Sequence, residues 1–374
     1  MRYTAGTNAL GRIIENLRSM GYTIIGPVLS EGVVRLAEVT KAEDLAKGIA
    51  DKHAPGSYEI AGGSPVVFAA VNGPDSPKRF LHPSGVPLTR LVEKDGGFEL
   101  DSLPTFEKKY AFFGIRPCDL TAVRIMDKTM LTPGLQDPVY SSRRKDTIFV
   151  VTNCTRAEAN CFCASMGTGP HADSGYDLSI TEFPEKLVLD VPGGRENLLD
   201  GVELRPATEE DIREEQKAML RTIEQMGRHV DTDGLASRMY AAMDASAWGE
   251  VADRCLACGN CTMVCPTCFC NTTREETDLA NGIVDRIRVW DSCLSKDFVY
   301  SAGGNPRVLR RDRYRQFVMH KFAYWLDQFG LYGCVGCGRC ITWCPVGIDI
   351  TETVHGVLGR NPQGSKKMEV LRVG

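Results

Sequence analysis

The chain has 374 residues, of which 43% are hydrophobic and 25% are charged, and its formal net charge is −4. This length predicts two or three domains with substantial cores, and the composition is typical of a globular protein. The weak negative charge excludes a general attraction to nucleic acid or to anionic membranes, and no apolar run is long enough to cross a bilayer. Fifteen cysteines without a secretory leader indicate a reducing compartment, so we expect a cytoplasmic protein.

The first part of the chain predicts an α/β or α+β domain, which we place at residues 1–205. Apolar residues at helical spacing, from Leu10 to Met20, predict a helix over residues 7–20. A strand, a helix and a second strand in that order predict parallel neighbours with a right-handed crossover. The β-rich runs that follow the first helix lie at 22–29, 33–39, 65–71, 111–115, 147–151, 176–183 and 186–191, and the helical pattern lies between 115 and 147.

Helical patterns dominate the second predicted domain, residues 206–374. Thr208, followed by three acidic residues, predicts a helix start with a capping hydroxyl. A further helix is expected over about 234–253, a polar helix start at 271–282, and a long helix over 307–330 with one apolar face.

Two copies of one thiol pattern lie in this second domain. The first is Cys255-x2-Cys258-x2-Cys261-x3-Cys265-Pro266, and the second is Cys334-x2-Cys337-x2-Cys340-x3-Cys344-Pro345. Three closely spaced thiolates with a fourth before a proline suit a [4Fe-4S] cluster, and two-cluster ferredoxins exchange the fourth ligand between copies. We therefore predict one cluster on Cys255, Cys258, Cys261 and Cys344, and another on Cys334, Cys337, Cys340 and Cys265. Structural zinc, the alternative, usually has paired CxxC knuckles.

Four cysteines in the first domain suggest a third cluster. Cys118 follows the run AFFGI, and Cys154 follows TIFVV, so parallel neighbouring strands would bring both thiols to one carboxyl edge. Cys161 and Cys163 follow after a short loop, which completes four thiols. The alternative is that these cysteines are small buried hydrophobic residues.

Three further cysteines, Cys268, Cys270 and Cys293, have no assigned ligand role. They lie in CPTCFC and WDSC, and packing beside the second cluster is the simpler interpretation. The arginine-rich segment RVLRRDRYRQ could stabilise a reduced cluster, contact an acidic partner, or be solvated.

The combination of FGIRPCDL, NC-x6-CFC-x-SMGTGP, CTMVCPTCFC and CVGCGRCITWCPVGID resembles the 4Fe-4S dicluster family. That family includes β subunits of cytoplasmic NAD(P)-linked [NiFe] hydrogenases (sulfhydrogenases) and the A subunit of anaerobic sulfite reductase. The long spacer of 68 residues between Cys265 and Cys334 resembles the α-helical ferredoxin-like arrangement of such subunits. The resemblance implies ligand roles for the eight ferredoxin-type cysteines. It also makes Cys118, Cys154, Cys161 and Cys163 better candidates for the ligands of a third cluster.

The same resemblance implies an electron-transfer subunit of an oxidoreductase complex, without catalysis of its own. It would relay electrons between a flavoprotein subunit that handles NAD(P)H and a terminal catalytic subunit. We expect a [NiFe] hydrogenase complex, because CPTCFC, WDSC and CITWCPVGIDIT look closer to that branch, with a sirohaem sulfite reductase as the alternative. Two hypotheses belong to other classes. The first is an enzyme that itself binds a flavin or a substrate, and the missing dinucleotide fingerprint argues against it. The second is a sensing protein, and the missing DNA-binding module argues against it.

Overall fold

The computed structural model describes residues 1–71, 73–101 and 108–359. The strands in these residues are β1 (Arg2–Ala5), β2 (Thr23–Ser30), β3 (Val33–Glu38), β4 (Ile49–Ala54), β5 (Ser57–Gly62), β6 (Val86–Lys94), β7 (Gly97–Asp101), β8 (Tyr110–Ile115), β9 (Ile148–Thr152), β10 (Leu178–Glu182), β11 (Leu187–Asp190), β12 (Arg205–Pro206), β13 (Asn271–Asp278) and β14 (Ile283–Trp290). The helices are α1 (Ala9–Ser19), α2 (Lys78–Leu81), α3 (Pro117–Met130), α4 (Pro138–Lys145), α5 (Glu209–Gln225), α6 (Leu235–Ala241), α7 (Ala247–Arg254), α8 (Asn260–Met263), α9 (Arg310–Met319), α10 (Trp325–Phe329), α11 (Arg339–Thr342) and α12 (Ile350–Val357).

A mixed sheet forms the centre of the first half of the chain. Its strand order is β12-β1-β11-β10-β9-β8-β2-β3, and β2, β8, β9 and β10 run parallel to one another. Alternate residues of β8 face opposite sides, so Phe113 joins the core formed with α1 while Phe112 joins the core formed with α3. The sheet is therefore covered by a helix on each face, and the predicted parallel pairing of residues 111–115 with 147–151 is confirmed.

Short helices form the core of the second half. Buried side chains from α6, α7, α9, α11 and α12 meet around Trp248, Phe317 and Ile341. Residues His320–Tyr324 form a π-helix between α9 and α10, so the predicted helix over 307–330 starts three residues later and has a wider turn in its middle. Wider turns of this kind often occur at functional sites, and Lys321 lies in this one.

A second sheet joins the two halves of the sequence. Its order is β13-β14-β6-β7, so it combines a hairpin from residues 86–101 with a hairpin from residues 271–290. The predicted helix start at 271–282 is wrong, because this segment pairs with β14 along its length and Glu275 forms an ion pair with Arg286 across the hairpin. The domain limits 1–205 and 206–374 stay predictions, and residues 360–374 lie outside the described part.

Two other predicted elements differ from the structure. Residues 65–71 do not form a strand, because side chains satisfy their backbone: Glu182 accepts from the amides of Val67 and Phe68, and Arg116 donates to the carbonyls of Phe68 and Val71. The helix expected over about 234–253 is interrupted at residues 242–246, where the Trp248 indole N–H donates to the Ala242 carbonyl at 2.9 Å.

The helix start at Thr208 is confirmed. The Thr208 side chain accepts from the Asp211 amide, and the Asp211 carboxylate accepts from the Thr208 amide, which is a reciprocal cap at the first turn of α5. Across the described residues, no helix is both long and apolar enough to span a bilayer.

Gly114 offers a test of the packing that positions Cys118. Its φ is +77°, and a Cβ there would lie 2.3 Å from the Phe68 ring. Gly32 has a similar φ of +75°, but a Cβ there would meet nothing within 4 Å. Gly114→Ala should lower the free energy of unfolding by about 2–5 kcal/mol and Gly32→Ala by about 1–2 kcal/mol, because only the first adds a steric clash to the backbone penalty. Anaerobic denaturant titration measures both values, and equal losses would contradict the packing described.

Candidate iron–sulfur sites

The two repeated thiol loops have the same backbone geometry. In the first loop, the Ala257 amide donates to the Cys255 sulfur at 3.3 Å; in the second, the Gly336 amide donates to the Cys334 sulfur at 3.4 Å. Both donor residues are left-handed, with φ of +53° and +63°. A short helix, α8 or α11, then carries the third cysteine of each loop. The sequence repeat is therefore a structural repeat.

Ala257 shows that this geometry is enforced. An alanine in the left-handed region costs about 1–2 kcal/mol, and the equivalent position in the second loop is a glycine. The strained conformation directs an amide N–H at a cysteine sulfur. Amide donors of this kind stabilise negative charge on sulfur and help to set the reduction potential of an iron–sulfur cluster.

The first site is a cavity that is partly open to solvent. Its volume is about 450 Å³ when the space open to solvent is included, and Cys255, Cys258, Cys261 and Cys344 line it together with Cys340. Its other walls are mostly apolar, from Leu294, Tyr314, Phe317, Ile348 and Ile350. Cys258 is exposed, whereas every other cysteine is buried or half-buried. The fourth cysteine of the second loop thus lies among the first three cysteines of the first loop.

The second site has the reciprocal arrangement. Cys265, from the first loop, interacts electrostatically with Cys334, Cys337 and Cys340. Next to this group, the Lys321 ammonium donates to the Thr267 hydroxyl at 2.8 Å, and that hydroxyl is 3.2 Å from the Cys265 sulfur. Burial by itself lowers the pKa of Lys321. Electrostatic interactions with Cys265, Cys268 and Cys334 raise it by more, so the pKa lies above its ordinary value.

The third set of thiols lies at the carboxyl edge of the central sheet. Cys118 is in the first turn of α3, directly after β8, and Cys154 follows β9 by two residues. Electrostatic interactions link Cys163 to Cys118, Cys154 and Cys161, and all four thiols are buried. The Cys154 amide donates to the Pro170 carbonyl at 3.0 Å, and a Cβ on Gly169 would lie 3.1 Å from the Cys163 sulfur. The turn after Cys163 therefore wraps closely around these thiols.

The second and third sites contact each other through their backbones. The Phe162 amide donates to the Gly336 carbonyl at 2.8 Å, and the Thr168 hydroxyl donates to the Val335 carbonyl at 2.6 Å. A Cβ on Gly336 would lie 2.6 Å from Phe162 backbone atoms, so only glycine permits this approach. As a result, Cys337 interacts electrostatically with Cys118 and Cys163.

Buried charges connect the same two sites. Asp119, next to Cys118, forms an ion pair with Arg339, two residues after Cys337, at 2.8 Å; both side chains are at most 4% exposed. Arg116, on the other side of Cys118, is also buried and interacts electrostatically with Cys154. The RPCDL segment thus supplies the Cys118 thiol, the Arg116 cation near the third site, and the Asp119 carboxylate, which holds the second loop in place.

Burial opposes ionisation of most thiols in these sites. Burial raises the pKa of Cys161 and of Cys334 to about 12, and it raises the pKa of Cys118 and Cys163 well above the ordinary value. Bound iron removes such protons outright, because a coordinating thiol is deprotonated. All fifteen cysteines lie within the described residues and none forms a disulfide, so the donor set fits iron–sulfur clusters.

The ligand pattern of the repeated loops suits clusters better than single ions. Each loop has a CxxCxxC sequence followed by a fourth cysteine before a proline, whereas structural zinc usually has paired CxxC knuckles.

Sequence patterns alone did not identify the basic residues of these sites. Lys78, Arg116, Lys321 and Arg339 are each at most 6% exposed and lie beside cysteines, but they come from separate segments of the chain. Arg116 and Arg339 are near in sequence to cysteines, which was an available signal. Lys78 and Lys321 are distant from any cysteine in sequence, so only the fold shows their role.

Comparison with known proteins agrees with this geometry. Residues 254–348 match the family described as 4Fe-4S dicluster domain, and this segment contains both repeated loops. The chain is 33% identical to sulfhydrogenase 2 subunit beta of Pyrococcus furiosus over an alignment of 270 residues. This alignment covers 71% of the present chain and 78% of the Pyrococcus protein. The chain belongs to the sulfhydrogenase β-subunit family. It is an iron–sulfur protein with a [4Fe-4S] dicluster domain after a sheet-rich α/β region.

Crossed ligation of the two dicluster sites has a direct test in this family member. Cys344→Ala should remove about four irons per chain and abolish the same electron paramagnetic resonance signal as Cys258→Ala, because both thiols line one cavity. Cys265→Ala should instead abolish the same electron paramagnetic resonance signal as Cys337→Ala. If the spectrum of Cys344→Ala matched that of Cys337→Ala, each loop would hold its own cluster and the crossed assignment would be wrong.

Proposed function

We propose that this chain is the electron-transfer subunit of a cytoplasmic [NiFe] hydrogenase complex of the sulfhydrogenase type. Two [4Fe-4S] clusters lie in an α-helical ferredoxin-like domain, on Cys255, Cys258, Cys261 and Cys344 and on Cys334, Cys337, Cys340 and Cys265. A third lies on Cys118, Cys154, Cys161 and Cys163. Electrons pass between a flavoprotein subunit that handles NAD(P)H and the terminal catalytic subunit. The name of the Pyrococcus relative supports the choice of hydrogenase over sulfite reductase.

The observation that carries this proposal is an uninterrupted series of neighbouring thiol groups. Cys163 and Cys118 interact with Cys337 of the second set, and Cys340 of the second set interacts with Cys261 of the first. The series starts at buried thiols beside the central sheet and ends at the exposed Cys258. Clusters in these positions would exchange electrons with one another and, at Cys258, with a partner.

The protein's own contribution to electron transfer is electrostatic and structural. Each cluster supplies the one-electron chemistry. Amides of Ala257 and Gly336 donate to thiolate sulfurs, and Lys321 places positive charge beside the second set. These groups favour the more negative, reduced state of a cluster, because the added electron lies close to fixed donors and cations.

Iron content tests the third cluster. The anaerobically purified chain should contain at least about twelve irons, and Cys161→Ala should lose about four of them while the dicluster signals remain. The loss follows from removing one of four converging thiols. A wild-type content near eight, unchanged in Cys161→Ala, would leave Cys118, Cys154, Cys161 and Cys163 as ordinary buried thiols.

The relay itself is tested in the complex purified from the native host. Nickel should co-purify with the chain, whereas sirohaem in its place would indicate a sulfite reductase. In that complex, Cys258→Ala should abolish hydrogen-dependent NAD(P) reduction, while each partner keeps its partial reaction with an artificial dye. Thr273→Ala, on the exposed strand β13, is the control and should retain the overall reaction. Full overall turnover in Cys258→Ala would exclude a relay through that cluster.

A further inference from the structure

Three cysteines outside the twelve assigned above come together at the base of the β13–β14 hairpin. Cys270 directly precedes β13, and Cys293 follows β14 by three residues. The Asp291 amide donates to the Cys270 carbonyl at 2.9 Å, which extends the hairpin pairing and brings the two cysteine-bearing segments together. The Cys270 thiol interacts electrostatically with those of Cys293 and Cys268.

Two buried lysines flank these thiols. Lys321 is 2% exposed and Lys78 is 6% exposed; Lys321 interacts electrostatically with Cys268, and Lys78 with Cys268 and Cys270. Among the described residues, neither ammonium group forms an ion pair with a carboxylate. Lys78 donates to the backbone carbonyls of Thr262 and Met263, at 3.2 and 2.9 Å, and lies over the Trp290 ring. Buried cations of this kind require negative charge close by.

The second dicluster site provides only part of that charge. Lys321 lies beside Cys265, which belongs to that site, and Lys78 also interacts with Cys265, but its other two thiol partners, Cys268 and Cys270, lie outside the site. Several thiolates in one small volume would repel one another unless a metal stood between them. An iron–sulfur cluster bound by these thiolates would separate their charges.

From these contacts we propose that Cys268, Cys270 and Cys293 hold an additional iron–sulfur cluster, with Lys78 and Lys321 balancing its negative charge. Three thiolates match the ligand number of a three-iron cluster, or of a four-iron cluster whose remaining iron takes a non-thiolate ligand. The cluster lies beside both dicluster sites, because Cys268 interacts electrostatically with Cys265, and Cys293 with Cys261. It would therefore be a branch of the electron path that the repeated motifs do not predict.

The experiment compares iron content and paramagnetic resonance spectra of anaerobically reconstituted full-length chains. The double variant Cys270→Ala/Cys293→Ala should lose about three to four irons per chain relative to wild type. Its remaining spectrum should still contain the signals that Cys258→Ala and Cys161→Ala remove. Ser295→Ala is the control: it removes a hydrogen bond to Asp291 in the same loop but no thiol, and its iron content should equal that of wild type.

Unchanged iron in the double variant would overturn the proposal, and so would a Cys270–Cys293 disulfide or stoichiometric zinc in the wild-type chain. If the double variant fails to fold, native mass spectrometry counts the irons of the wild-type chain instead. The same measurement on Cys161→Ala, which lacks the third site, separates the two clusters: about eleven to twelve irons supports the additional cluster, and about eight overturns it. These outcomes are distinct from failure of the relay, because they concern iron lost on removal of Cys270 and Cys293 and do not depend on turnover.

Discussion

Negative charge inside the protein is the constraint on which most of this structure depends. Thiolate-bound clusters bring several negative charges into a region that water does not reach, and such charges are costly unless cations or hydrogen-bond donors accompany them. Arg116, Arg339, Lys78 and Lys321 are buried beside the cysteines. Arg339 also pairs with Asp119, which fixes its position between the second and third thiol sets. Thiolates at these cysteines would offset part of the cost of burying the basic side chains, in addition to the carboxylate beside Arg339 and the carbonyls that accept from Arg116.

The same constraint explains why the two halves of the chain are closely joined. The RPCDL segment lies at the carboxyl edge of β8, yet its Asp119 holds the loop that carries Cys337. Gly336 lets that loop contact the backbone of Phe162 next to Cys161 and Cys163. Strands β6 and β14 pair across the same boundary. The proposed electron path from one half to the other would therefore run through contacts that also hold the halves together.

Local patterns in the sequence predicted the elements whose partners are near in the chain or repeat regularly. Three features could be predicted because each depends on spacing over a few residues: the parallel pairing of β8 with β9, the cap at Thr208 and the doubled thiol loops. Residues 65–71 and 271–282 were mispredicted, because Arg116, Glu182 and strand β14 decide their conformation from far away. Lys78 and Lys321 were missed for the same reason.

Anomalous diffraction at the iron absorption edge, from crystals grown without oxygen, tests the central claim most directly. Crossed ligation predicts two separate iron peaks, with a buried lysine or arginine beside the second. The first peak should be enclosed by Cys344 with Cys255, Cys258 and Cys261, and the second by Cys265 with Cys334, Cys337 and Cys340. Iron bound to each loop's own four cysteines, or zinc peaks in place of iron, would contradict it.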